Sequence, residues 1–225
     1  MPAELPAIER LELAARFHPA GERNRVGGDF YDVFEARGSL FIVMGDVAGK
    51  GPKAATLTAL VRHVARAIAL YERHPSVVLE RLREMLLARP HEPFVTVVCA
   101  VMEHPRRARH LTIATSGHPP PLLVRRSGES REVGAVNPLL RYTKPGQLQE
   151  AGVRLRRGDR LFFYTDGLTD ARAPTQMLSP AELGGALSGR ESLPLGQLLD
   201  NVIGWAVGPG GKPRDDIAVL GLERR

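Results

Sequence analysis

Strand-like apolar runs stand at both ends of this chain and the longest helical periodicity lies between them, which leaves few architectures open. Leu11 to Phe17, Phe30 to Ala36 and Leu40 to Met44 are short apolar or aromatic runs separated by Gly, Asn and Arg-Gly-Ser, the punctuation of strands and tight turns. From Lys53 to His74 the period changes. Leu57, Leu60, Val61, Val64, Ala67, Ile68 and Tyr71 recur at steps of three and four, which predicts an amphipathic helix with Pro52 in its first turn. Beyond His74-Pro75, the spacing of Val78, Leu79, Leu82, Met85 and Leu86 predicts a second helix stopped by Pro90, so the two form a hairpin. Strands are then expected at Phe94 to Met102, Arg109 to Thr115, Pro121 to Arg126, Val153 to Leu155, Leu161 to Thr165 and Ile217 to Leu222. An Arg157-Gly158-Asp159 turn separates the fourth of these from the fifth, and helical pieces fall near Pro180 to Leu187 and Pro194 to Val207. Val133 to Gln149, broken by proline and glycine, is the least legible stretch. The pattern argues for antiparallel sheets covered by helices, an α+β protein. With no repeat or linker, residues 1–225 read as a single domain.

Composition narrows the function. The one cysteine, Cys99, lies inside an apolar run and reads as a small core residue, with no disulfide framework. The net charge of +6 is spread over short basic groups without a long tract or interleaved aromatics, so no nucleic-acid partner is expected. No apolar run approaches the roughly 18 residues of a membrane span and no signal-peptide pattern opens the chain, which gives the expectation of a soluble, cytoplasmic protein with no membrane partner. The seven histidines show no zinc spacing, and His118, in Ser116-Gly117-His118-Pro119, is assigned a structural or surface role. Gly45 to Gly51 has three residues between its glycines Gly45 and Gly49, and Gly51 follows Lys50, so it is not a nucleotide-binding P-loop.

The chemistry lies in aspartates that abut apolar strands. If Arg37-Gly38 is a two-residue turn between Phe30–Ala36 and Leu40–Gly45, Asp29 falls opposite Asp46 at the open end of the hairpin. Like charges there repel, so a cation is expected between them. Asp166 follows the strand Leu161 to Thr165, and Asp215-Asp216 precede the strand from Ile217. In an antiparallel sheet those two ends can share one edge. Clustered carboxylates without Cys or His suit Mg2+ or Mn2+ better than Zn2+, and a binuclear site follows, with the glycines around Val47 letting its carbonyl approach a metal. Taken singly, each aspartate also has an ordinary explanation as a turn, a helix cap or a solvated loop residue.

Five blocks occur in order: Gly27-Gly28-Asp29-Phe30-Tyr31-Asp32, Gly45 to Gly51, Ser116-Gly117-His118-Pro119-Pro120, Tyr164-Thr165-Asp166-Gly167-Leu168-Thr169-Asp170-Ala171 and Asp215-Asp216-Ile217-Ala218-Val219. Over roughly Leu11 to Leu222 the chain resembles the SpoIIE-like bacterial serine/threonine phosphatases of the metal-dependent type-2C superfamily. The resemblance implies a four-layer sandwich, two antiparallel sheets flanked by helices, with two Mn2+ or Mg2+ ions at one end. It implies that Asp46 bridges both ions, the Val47 carbonyl binds one, Asp166 and Asp215 bind the other, and Asp29 binds directly or through water, with Asp216 a further candidate. It also implies hydrolysis by activated water, without a phosphoenzyme. The implied substrate is a phosphoserine or phosphothreonine on an anti-sigma-factor antagonist. A regulatory partner or a second copy would act through helices 53–89. Lys50, in the turn after Asp46, is expected to help capture the phosphorylated substrate. The alternative is a catalytically silent pseudophosphatase that only docks a partner. The chain is read as a stand-alone phosphatase or the catalytic portion of a longer protein.

Overall fold

The computed structural model describes residues 4–20, 27–89, 91–107, 109–190 and 192–225. In chain order the strands are β1 (Leu11–His18), β2 (Phe30–Ala36), β3 (Ser39–Val47), β4 (Val95–Met102), β5 (His110–Ser116), β6 (Leu122–Val124), β7 (Ser130–Glu132), β8 (Ala135–Asn137), β9 (Ala151–Arg154), β10 (Arg160–Tyr164) and β11 (Ile217–Arg224). The helices are α1 (Pro52–Ala69), α2 (Pro75–Leu87), α3 (Asp166–Thr169), α4 (Pro180–Leu187) and α5 (Leu195–Val207), with a 3-10 turn at Leu140–Tyr142. One sheet has the order β1-β11-β10-β6-β7. The other has β2-β3-β4-β5-β8, with β9 also on β5.

The two sheets stack face to face, and period-two alternation decides what each face meets. Even-numbered residues of β3 and β4 (Leu40, Ile42, Met44; Val98, Ala100, Met102) face the other sheet's Leu161, Phe163, Ala218, Leu220 and Leu222. Odd-numbered residues of the same strands (Phe41, Val43; Val97, Cys99, Val101) lie under α1 and α2 through Leu57, Val61, Leu79 and Leu82. On the far side Phe162, Tyr164 and Val219 pack against Leu183, Leu198, Leu199 and Val202 of α4 and α5. The result is the expected four-layer helix–sheet–sheet–helix sandwich. Its sheets are antiparallel apart from the β5–β8 pair, which is parallel.

Several local expectations are corrected. The first helix ends at Ala69 rather than His74. His74 precedes Pro75, which disfavours helical backbone there, and it is extended at ψ 118 as the N-cap of α2. The second helix accordingly starts at Pro75, and its assigned stop, Pro90, lies outside the described residues. β9 and β10 flank the Arg157-Gly158-Asp159 turn as expected, but they belong to different sheets: β9 pairs with β5 and β10 with β6 and β11. The stretch 133–149 holds β8 and the 3-10 turn, and β7 precedes it unforeseen.

One polar contact sets α1 on its sheet. Asp32, 1% exposed, accepts two hydrogen bonds of 2.7 Å from the Arg66 guanidinium, which also lies 4.5 Å over the Phe34 ring, and Arg62 approaches it at 3.6 Å. A buried carboxylate left unpaired costs about 3–5 kcal/mol, so this contact fixes α1 and the Gly45–Gly51 loop that feeds it.

Candidate metal centre

The β2–β3 hairpin pairs as its turn chemistry requires. Arg37 and Gly38 both take positive φ, 51° and 75°, and Ala36 pairs with Ser39 while Phe30 pairs with Gly45. The ladder runs one step further, because the Val47 N–H donates to the Gly28 carbonyl at 3.2 Å. Asp29 and Asp46 therefore fall between two hydrogen-bonded pairs, at the position where opposed side chains come closest, about 4.5 Å between Cα atoms. Both share the face of Tyr31, Val33, Met44 and Ile42, turned toward the other sheet.

The opposing sheet brings its acids to the same end. β10 runs antiparallel to β11, with Tyr164 opposite Val219, so the residues after Tyr164 and those before Ile217 share one edge. The Thr165 hydroxyl ties the halves together: it accepts from the Ala218 N–H at 3.0 Å and donates to Asp29 Oδ2 at 2.6 Å. Asp166 opens α3 directly behind it.

Burial and mutual repulsion show in the acidities. Burial is the largest influence on Asp29 and raises it to about 9; the Thr165 hydrogen bond opposes this, while Asp46, Asp166 and Asp216 push it further up. Asp46 rises to about 6, through burial first and then the charges of Asp166 and Asp215, with a hydrogen bond from Asp29 partly offsetting this. Asp166 is also raised, by burial and then by Asp170 and Asp215.

The final pair divides. Asp216 is buried; its Oδ1 accepts from the Ala20 N–H at 2.8 Å, whereas Oδ2 is buried without a hydrogen-bond partner. Asp215 lies at the solvent edge and receives the Lys50 ammonium at 2.8 Å. Lys50 thus sits at the rim of the acidic group, beside one of its members.

Backbone approaches complete the arrangement. A Cβ on Gly28 would stand 2.0 Å from the Val47 carbonyl oxygen and 2.4 Å from Asp46 Oδ1, so only glycine lets those two oxygens come together over the hairpin end. Behind Asp46, its N–H donates to Thr96 Oγ1 at 3.2 Å, and that hydroxyl lies 3.0 Å from His118 Nδ1. Burial holds His118 down to about 3, so the ring is neutral and belongs to the supporting structure, as its motif suggested. Thr96 and Thr165 are contributors that the sequence reading did not single out. The only signal for Thr165 is its place between a strand end and an acid.

The donor set is all oxygen: carboxylates, a main-chain carbonyl and one buried carboxylate oxygen lacking a partner, the chemistry of a hard divalent ion. Among the described residues no three His, Cys, Asp or Glu side chains are drawn close enough to enclose a single ion. Asp29 and Asp46 face each other, while Asp215 is turned to Lys50 and Asp216 to Ala20.

The chain is 24% identical over 182 residues to phosphoserine phosphatase RsbU of Bacillus subtilis, an alignment covering 80% of this chain and 53% of RsbU. It spans 32–53% of the length of the curated relatives it matches. The crystal structure of the RsbU and RsbW domains of Rv1364c from Mycobacterium tuberculosis superposes with a TM-score of 0.85 at 26% identity, over 98% of this chain and 62% of that one. RsbX in complex with magnesium shares the fold, with a TM-score of 0.73 at 16% identity over 99% of both chains. The family model of Stage II sporulation protein E (SpoIIE) matches residues 36–225. With that match over most of its length, the chain belongs to the SpoIIE family of metal-dependent PP2C-type serine/threonine phosphatases.

Proposed function

We propose that this chain is a metal-dependent protein phosphatase acting on a phosphoserine or phosphothreonine of a regulatory protein, of the anti-sigma-factor-antagonist type. The observation that carries the reading is the convergence of Asp29, Asp46, Asp166, Asp215 and Asp216, from four separate segments, on one end of the sheet pair. In this reading Asp46 would serve both of two Mn2+ or Mg2+ ions, the Val47 carbonyl one of them and Asp166 with Asp215 the other, and Asp29 and the unpartnered oxygen of Asp216 would complete the set. Bound there, the ions would supply charge neutralisation at the phosphoryl oxygens and activation of water. The chain's own work is placement. Thr165 orients Asp29, Thr96 fixes the backbone at Asp46, and Asp32 with Arg66 anchors the helix that follows the loop. A regulatory partner or second copy is assigned to the α1–α2 hairpin, whose tip exposes Leu70 and Tyr71.

The test is hydrolysis of p-nitrophenyl phosphate and of a phosphoserine peptide with Mn2+ or Mg2+, abolished by EDTA. Protein inert under every metal, yet still binding a regulatory partner, would make it a pseudophosphatase instead.

Lys50 gives a second, smaller expectation. Both members of its pair with Asp215 are about half exposed, so the pair contributes little to stability. Its charge at the rim favours arrival of an anionic substrate. Lys50→Ala is expected to raise KM for a phosphopeptide about threefold at low ionic strength, with kcat nearly unchanged, and the effect should shrink with added salt. Steady-state kinetics at two ionic strengths checks this, and an unchanged KM at low salt removes Lys50 from substrate capture.

A further inference from the structure

An exposed aromatic pair lies just beyond the strand end that carries Asp46. The β3–β4 register sets Asp46 opposite Thr96 and Val47 opposite Val95, and the Ala48 N–H donates to the Phe94 carbonyl at 2.8 Å, which extends the pairing by one more step. Phe94 therefore stands at the same end of the sheet as Asp46, about 7 Å along the strand beyond Thr96. Further down the strand Val98, Ala100 and Met102 are covered by the second sheet. Phe94 is 46% exposed, and its ring meets that of Tyr142, itself 67% exposed, at 5.9 Å between centroids.

The pair is held in place from several sides. Arg141, next to Tyr142, donates to the carbonyls of Arg89 and Glu92. Lys53 of α1 donates to the His91 carbonyl two residues before Pro93. Leu140 is buried in the core beneath α2, the Ser116 hydroxyl donates to the Pro138 carbonyl, and the Asn137 amide clamps Thr115 to Gln149. Two large rings fixed in this way, in contact with each other and with solvent, form a built surface rather than a stray exposed side chain. Around it stand the cations Lys53 and Arg141 and, 3.9 Å from the Lys53 ammonium, the Glu92 carboxylate.

We propose that Phe94 and Tyr142 form a shelf that takes an apolar side chain about two residues from the phosphorylated serine or threonine of the protein substrate. The spacing follows from extended geometry, since two residues of extended chain cover the roughly 7 Å from the Asp46–Thr96 level to the shelf. The inference rests on the phosphatase reading and adds to it a selectivity for sequence beside the phosphate. Aromatic anchors next to a site commonly carry most of the contact energy of a small interface.

The experiment compares two phosphoserine peptides that differ only two residues to either side of the phosphoserine, one carrying leucine there and the other glycine. With Mn2+, the native protein is expected to favour the leucine peptide by about fivefold in kcat/KM, the yield of partly burying one leucine. Phe94→Ala and Tyr142→Ala should each bring that ratio to within about twofold of unity, and Phe94→Tyr, which keeps the ring, should retain it. Melting curves confirm that the variants fold. Native turnover without preference, or variants that keep the preference, overturns the shelf while leaving the phosphatase reading intact. So does a shelf substitution that changes self-association in sedimentation and leaves peptide preference untouched. Protein inert toward both peptides and toward p-nitrophenyl phosphate overturns the phosphatase reading and the shelf together.

Discussion

Asp46→Asn is expected to reduce metal-dependent ester hydrolysis by about a thousandfold or more, since it removes charge from the one carboxylate assigned to both ions. The same change should raise the melting temperature of the metal-free protein at pH 8. Folding lifts the Asp46 carboxyl from 3.8 to about 6. Well below pH 3.8 both folded and unfolded chains hold the proton and nothing is lost. Between pH 4 and 6 the unfolded chain ionises first, so stability falls with rising pH, and above 6 the loss is complete. An amide carries no such penalty. Partial exposure and the proton shared with Asp29 reduce the recoverable part to about 1–2 kcal/mol, or roughly 2–8 °C in a chain of this size. Melting in EDTA at pH 4 and pH 8 reads it directly: the gap between variant and native protein should be present at pH 8 and mostly gone at pH 4. Activity within tenfold of the native protein, or a lower melting temperature at pH 8, would sink the assignment.

The β2–β3 hairpin shows how much of such a centre is legible in a sequence. Arg37-Gly38 admits a two-residue turn, a two-residue turn fixes register, and register alone sets Asp29 against Asp46. The meeting of Asp166 with Asp215 and Asp216 needed one more premise, that the strands beside them are antiparallel neighbours, and β10 and β11 are. Local pattern fails where the choice is between sheets. β9 and β10 alternate alike and are joined by an ordinary turn, yet the chain crosses from one sheet to the other there, a choice made by packing and not by the turn. It fails again over residues 133–149, where the Asn137 amide, not an apolar period, holds the backbone through Thr115 and Gln149. The hydroxyls of Thr96 and Thr165 were invisible for a similar reason: a single threonine at a strand end has no spacing to read, and its role appears only when the opposing acid is in place.

Divalent ions are expected to stabilise this protein, and to do so increasingly as pH rises. A ligand that binds only the folded chain adds about 2.7 kcal/mol at one hundred times its Kd, roughly 5–10 °C here, so millimolar Mn2+ or Mg2+ should move the melting temperature by several degrees. The pH dependence comes from the same burial that perturbs the acids. Asp46 is raised to about 6, Asp29 to about 9, and Asp166 upward as well. A metal requires these carboxylates ionised, so binding expels the protons they hold. The metal-induced shift should therefore be small at pH 5, larger at pH 7 and larger again at pH 8.5, where ordinary surface carboxylates, fully ionised above pH 5, would show no trend. Near pH 7, calorimetry of Mn2+ binding in two buffers of different ionisation enthalpy should report release of about one proton, the one that Asp29 retains. Asp166→Asn removes a ligand while leaving Asp29 and its hydrogen bond from Thr165 in place, and should leave only a minor part of the thermal shift. Equal shifts in native protein and Asp166→Asn would place the metal elsewhere, and a shift that stays level from pH 5 to 8.5 would mean that the ligands are not these buried aspartates.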